Sequence, residues 1–112
     1  MKVEVKRTGD VTVIEFEGNF TKNLGDYKIK NTITDLLNNG ARKIILELSD
    51  VKFINSAGIG ELVGAYISIS NRGGKLKLCC IPEKVHKMLK VTQLISIFDT
   101  YKTMEEALSS FN

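Results

Sequence analysis

The run Arg42-Lys43-Ile44-Ile45-Leu46-Glu47-Leu48 limits the possible folds more than any other stretch of the chain. It is almost continuously apolar over the length of one strand. A strand that faces water on one side alternates apolar and polar residues; one covered on both sides does not need to. These residues are therefore predicted to form the central strand of a sheet with material on both faces.

The flanking segments supply the rest of the sheet and its cover. Val3-Glu4-Val5-Lys6 alternates, Gly9-Asp10 is a turn signal, and Val11 to Glu17 alternates again, which predicts a hairpin-like pair of strands. From about Leu24 to Asn38, Tyr27, Ile29, Ile33, Leu36 and Leu37 recur at helical spacings, and Asn39-Gly40 stops that helix. Ser49 to Ile54 reads as a short connector. Ile59, Leu62, Val63, Tyr66 and Ile69 or Ser70 then mark a second helix that ends at Asn71-Arg72-Gly73-Gly74. Lys75 to Ile81 is a strand, Pro82 suits the first position of a third helix built on Val85, Met88 and Leu89, and Ile95 to Tyr101 is a last short strand. Thr103-Met104-Glu105-Glu106 fits a capping box and opens a final helix with Ala107, Leu108 and Phe111 on its apolar side. Strands alternating with helices after a hairpin predict an α/β domain with a mixed sheet, parallel wherever a helix makes the crossover.

The 112 residues suffice for one domain, and 43% hydrophobic with 26% charged residues is the balance of a globular protein that can build a core without staples. Cys79 and Cys80 are neighbours, so on a strand they should point to opposite faces and stay reduced. The net charge of +3 comes from 16 basic and 13 acidic residues spread along the chain, without the clustered cations and aromatic platforms of a nucleic-acid surface. The start, Met1-Lys2-Val3-Glu4-Val5-Lys6-Arg7, is too charged for a signal peptide, and no apolar run approaches the roughly 20 residues of a spanning helix. The expected location is the cytoplasm.

Candidate chemistry is sparse. The one histidine, His86, sits among Lys84, Lys87 and Lys90 on the third helix, with no second ligand at metal spacing and no serine elbow elsewhere. No catalytic residue, metal site or cofactor is expected. Gly58, Gly60 and Gly64 open the second helix as Gly-x-Gly-x-x-x-Gly. This is not a dinucleotide turn, because about nine residues separate Leu48 from Gly58 and no acid ends the next strand. Each glycine costs a helix about 1 kcal/mol relative to alanine, so something should approach this backbone closely: a packed strand or a docked partner. Just ahead stands Ser56. It could cap the free amides of the first turn. It could also carry a phosphoryl group, whose charge of about −1.5 to −2 a helix N-terminus favours.

The stretch Val51-Lys52-Phe53-Ile54-Asn55-Ser56-Ala57-Gly58-Ile59-Gly60-Glu61-Leu62 resembles the signature of the STAS domain, specifically that of bacterial anti-sigma factor antagonists. In that signature an apolar strand leads through Val-x-Phe-hydrophobic and Asp-Ser-Ser/Thr/Ala-Gly-Leu/Ile-Gly into a helix. The match runs over Ile44 to Gly64, and the order of elements fits the whole chain. The resemblance implies a single STAS domain over residues 1–112: a mixed five-stranded sheet with about four helices largely on one side. It also implies a non-enzymatic module that binds an anti-sigma factor that is itself a serine kinase, so that a sigma factor is freed. Phosphorylation by that kinase would dissociate the pair, and a serine phosphatase would reset it, with no direct contact to nucleic acid and no membrane span. Carried over by position, Ser56 is the phosphoacceptor and Ala57, Gly58, Ile59 and Gly60 start the recognition helix. Asn55 and Thr21 stand where the family usually has aspartate, and each removes a carboxylate from the loops around the serine. The alternative is a constitutive STAS scaffold or accessory subunit of a signalling or transport assembly, with Ser56 only a helix cap.

Overall fold

The structure is a computed structural model and describes residues 2–20 and 28–112. Strands β1 (Lys2–Thr8) and β2 (Val11–Phe20) pair antiparallel around Gly9, whose φ of 62° suits a residue without Cβ. The Lys43 ammonium donates a 2.7 Å hydrogen bond to Asp10 Oδ2 at this turn and holds that exposed carboxyl below the usual carboxylate range. Helix α1 (Lys28–Asn38) buries Ile29, Ile33 and Leu37 along one stripe and ends where Gly40 turns at a φ of 96°.

Strands β3 (Lys43–Ile54), β4 (Lys75–Cys79) and β5 (Asp99–Tyr101) complete a sheet ordered β1-β2-β3-β4-β5, parallel from β2 onward. The strand expected at the centre is there: Ile44, Ile45 and Leu46 are each 0% exposed, so both faces of β3 are covered. Helices α2 (Ser56–Asn71) and α3 (Glu83–Val91) connect the parallel strands, a short 3-10 turn spans Leu94–Ile97, and α4 (Met104–Ser109) closes the described chain, its first turn capped by Thr103.

The two sheet faces receive different cover. Ile44, Leu46, Leu48, Leu76 and Leu78 share one cluster with Ile33 of α1, Leu62 and Ile69 of α2, and Val85 and Leu89 of α3. On the opposite face Val11, Val13, Ile45 and Cys79 pack with Ala107 of α4. Three helices therefore lie on one side and one on the other, in the mixed five-stranded arrangement that the sequence predicts.

Several boundaries differ from the sequence reading. The segment expected to be a connector, Ser49 to Ile54, is the second half of β3. It is held as a strand by β2, which runs on to Phe20 and pairs Glu17–Phe20 with it, at the cost of two register shifts near Gly18. The strand expected over Ile95 to Tyr101 keeps only its last three residues. Pro82 is the cap of α3, not its first helical residue. The start expected near Leu24 for the first helix lies outside the described residues. Cys79 and Cys80 do not face opposite ways: Cys80 leaves the strand with a φ of 58°, and both join the α4 side. Both thiols are free, and burial, with Cys80 beside it, pushes the Cys79 thiol well up.

Candidate functional site

The first turn of α2 is set by residues on three elements. Asn55 ends the β3 segment in an extended conformation, and its Oδ1 accepts the Gly58 N–H at 2.8 Å, so the cap of this helix is the asparagine. Its carbonyl accepts the Ile59 N–H at 2.9 Å and starts the intrahelical ladder. Ser56 is thereby the first helical residue. It is exposed, and its hydroxyl is not needed as the cap. No acidic residue stands in this first turn to oppose an anion, and the Ser56 and Ala57 N–H groups precede the first intrahelical bond.

The glycines separate into two kinds. A Cβ on Gly58 would sit 1.8 Å from the Phe20 carbonyl oxygen and 3.0 Å from Ile54 Cγ1, so the end of β2 bears directly on the helix backbone here. Phe20 is itself buried and meets Phe16 edge-on, with ring centroids 5.3 Å apart. Gly60 and Gly64, in contrast, have nothing within 4 Å of an added Cβ among the described residues. They face a groove of about 660 Å³ between α1 and α2, with Ile29 and Ile33 on one wall and Ala57, Glu61, Ala65 and Ile67 on the other.

Of the residues singled out from the sequence, the structure brings Asn55, Ser56, Ala57 and Gly60 to one accessible surface. Gly58 and Ile59 point inward. Ile59 is only 4% exposed and belongs to the main core, so these two seat the helix and offer no side chain to a visitor. Thr21 lies outside the described residues; its neighbour Phe20 ends β2 opposite Ile54. His86 is exposed on α3, and the described residues hold no cluster of three or more histidine, cysteine or acidic side chains that could bind a metal. Among the described residues, no helix is long and apolar enough to cross a membrane.

Phe53, part of the sequence motif, stands half exposed at the end of β3. Lys52 and Phe53 are both exposed between the buried Val51 and Ile54, which breaks the alternation of a regular strand, and no period in the sequence announces it.

The family model of the STAS domain matches residues 2–107. The chain belongs to the STAS domain family. A relative from Thermotoga maritima is 42% identical over 74 residues, which are 66% of this chain and 66% of that protein. The crystal structure of TM1081 from the same bacterium superposes with a TM-score of 0.88 at 32% identity, covering 96% of this chain and 92% of its own. The anti-sigma F factor antagonist of Paenibacillus polymyxa is 23% identical over 109 residues, 97% of this chain and 93% of that one. The Bacillus cell fate determinant SpoIIAA in its phosphorylated form shares the fold, with a TM-score of 0.72 at 19% identity over 99% of this STAS chain and all of its own. The names these relatives of the STAS domain carry are those of anti-sigma factor antagonists.

Proposed function

We propose that this STAS protein is an anti-sigma factor antagonist switched by phosphorylation of Ser56. The observation that carries the reading is the division of labour at the α2 start: Asn55 supplies the cap, and Ser56 is left exposed in a first turn without acids. In the unphosphorylated state an anti-sigma factor docks over Ser56, Ala57 and Gly60 and extends along the open backbone of α2, releasing its sigma factor. That anti-sigma factor doubles as a serine kinase. The Ser56 Oγ attacks the γ-phosphorus of ATP, the bond to the β-phosphate oxygen breaks, ADP leaves, and the hydroxyl proton passes to the kinase's base. The new group carries about −1.5 to −2 charges at a helix N-terminus, which tolerates an anion, while a partner seated over it must desolvate that charge. The pair separates and a serine phosphatase restores the hydroxyl. The cycle runs in the cytoplasm without contact to nucleic acid. That a protein of the same fold, SpoIIAA, exists in a phosphorylated form supports this reading.

Incubating the protein with ATP and the anti-sigma kinase of its own cell, then mapping the product by mass spectrometry, is expected to place a phosphate on Ser56. A phosphate found only elsewhere sinks the switch. In binding measurements, Ser56→Asp is expected to lower partner affinity at least about ten-fold and Ser56→Ala far less, because charge and not the lost hydroxyl breaks the interface. Equal affinities for the two variants favour the second reading, a constitutive STAS scaffold. The neutral Asn55, where a carboxylate is usual in the family, is the observation on that side.

A further inference from the structure

A second groove, of about 250 Å³, lies between the end of β3 and α3. Strand β4 stops pairing with β3 at Glu47, so Ser49–Ile54 has a strand neighbour only in β2, while α3 packs against β3. The groove is lined by Phe53 and Ile54 from the strand and by Lys84, Lys87, Met88 and Val91 from the helix. Its apolar surface is left in water: Phe53 is 50% exposed and Val91 72%. Both lysines are exposed, no carboxylate lines the groove, and neither lysine joins an ion pair among the described residues. An apolar floor with two unpaired cations on its rim complements an apolar side chain flanked by carboxylates.

Position ties this groove to the serine. Phe53 stands three residues before Ser56, so the two Cα atoms are at most about 11 Å apart. We infer that the β3–α3 groove is a second docking element for the anti-sigma partner, accepting an apolar side chain carried on an acidic amphipathic segment of that protein. The inference rests on the partner-binding reading of Ser56 and adds to it the chemistry of the segment that binds beside it. A nucleic acid is the poorer match, since Phe53 is the single aromatic face and a strand-tracking surface needs a longer line of cations.

The test is a titration of the ¹⁵N-labelled full chain, followed by its amide resonances, with a synthetic amphipathic peptide bearing leucines on one helical face and glutamates on the other. Two controls are the same peptide with lysine in place of glutamate and a single-stranded oligothymidylate. The acidic peptide is expected to move the signals of Phe53, Lys84, Lys87, Met88 and Val91, with an affinity that weakens several-fold as salt is raised. Lys84→Glu combined with Lys87→Glu is expected to weaken it about ten-fold. Val91→Ser, at an exposed position that the fold does not need, is expected to weaken it several-fold. The inference is overturned if the acidic peptide moves none of these signals at millimolar concentration, if either control moves them equally, or if the variants bind as the parent does. Ser56 takes no part in this readout, so a failure here leaves the phosphoserine switch standing, and a failure of Ser56 phosphorylation leaves this result standing.

Discussion

Gly58 and Gly60 lie two residues apart on α2 under opposite demands. At Gly58 the Phe20 carbonyl oxygen occupies the place of a methyl group, and backbone cannot step aside as a flexible side chain can. Gly58→Ala is therefore expected to lower stability by about 1–3 kcal/mol or more, the range of overpacking in a dense interior. Gly60 faces open space, and there alanine should stabilise the helix by up to about 1 kcal/mol. Urea denaturation of the two variants side by side measures the contrast, and a Gly60 variant that loses as much as the Gly58 one contradicts it. In the proposed function Gly60 lies under the docked partner, so Gly60→Ala should weaken partner binding even as it stabilises the fold. Asn55 shows the same separation of roles. Asn55→Ala removes the acceptor of the 2.8 Å bond from Gly58 and is expected to cost about 1 kcal/mol in the same urea experiment, whereas Ser56→Ala costs little because the serine is not the cap.

At the scale of the element, α4 has six residues and buries one of them, Ala107, so its own helical propensity cannot hold it. What fastens it is Lys77, a lysine on the inner part of β4 with only 7% exposure. Its ammonium donates to Ser110 Oγ at 2.7 Å and to the Ser110 carbonyl at 3.2 Å, and lies 4.3 Å from the centre of the Phe111 ring. Three of its donors thus have neutral partners, the Tyr101 hydroxyl at 3.4 Å being the weakest. Lys77→Ala is expected to release the α4 end while the rest of the sheet holds. Hydrogen exchange should show amides of Ala107 to Phe111 losing protection ahead of those of β3, and uniform loss across the chain would count against a local role. The alternation of Leu76 and Leu78 marks one side of β4 as inward and is silent on Lys77, which the structure buries on the other side. Period-two patterning reports a side of the strand and not what covers that side, and the covering residues arrive more than thirty positions later.

For the whole molecule, the central question is whether charge at Ser56 acts on the fold or only on its surface. The α2 N-terminus has its amides and dipole aligned toward that side chain and no acid in the first turn, so Ser56→Asp is expected to leave thermal stability unchanged or raise it by about 0.3–1 kcal/mol. Calorimetry of parent and variant checks this. A marked drop in melting temperature would mean that any lost binding comes from unfolding and not from an evicted partner.

By itself the sequence determined the order of nearly every element, the doubly covered central strand, a glycine-rich helix start beside Ser56 and the family to which this motif belongs. Those features are written in residues a few positions apart, as hydrophobic periods, turn glycines and caps, and such local patterns survive in one dimension. Only the tertiary structure decided which glycine is required, which of Asn55 and Ser56 is the cap, that Ser49–Ile54 is strand, and that Lys77 is buried while Phe53 is not. Each of these depends on groups distant along the chain: the Phe20 carbonyl over Gly58, β2 beside the end of β3, and the Ser110 oxygens over Lys77. Close approach between such groups leaves no period in the sequence, because it is set by how whole elements stack and not by the residues next door.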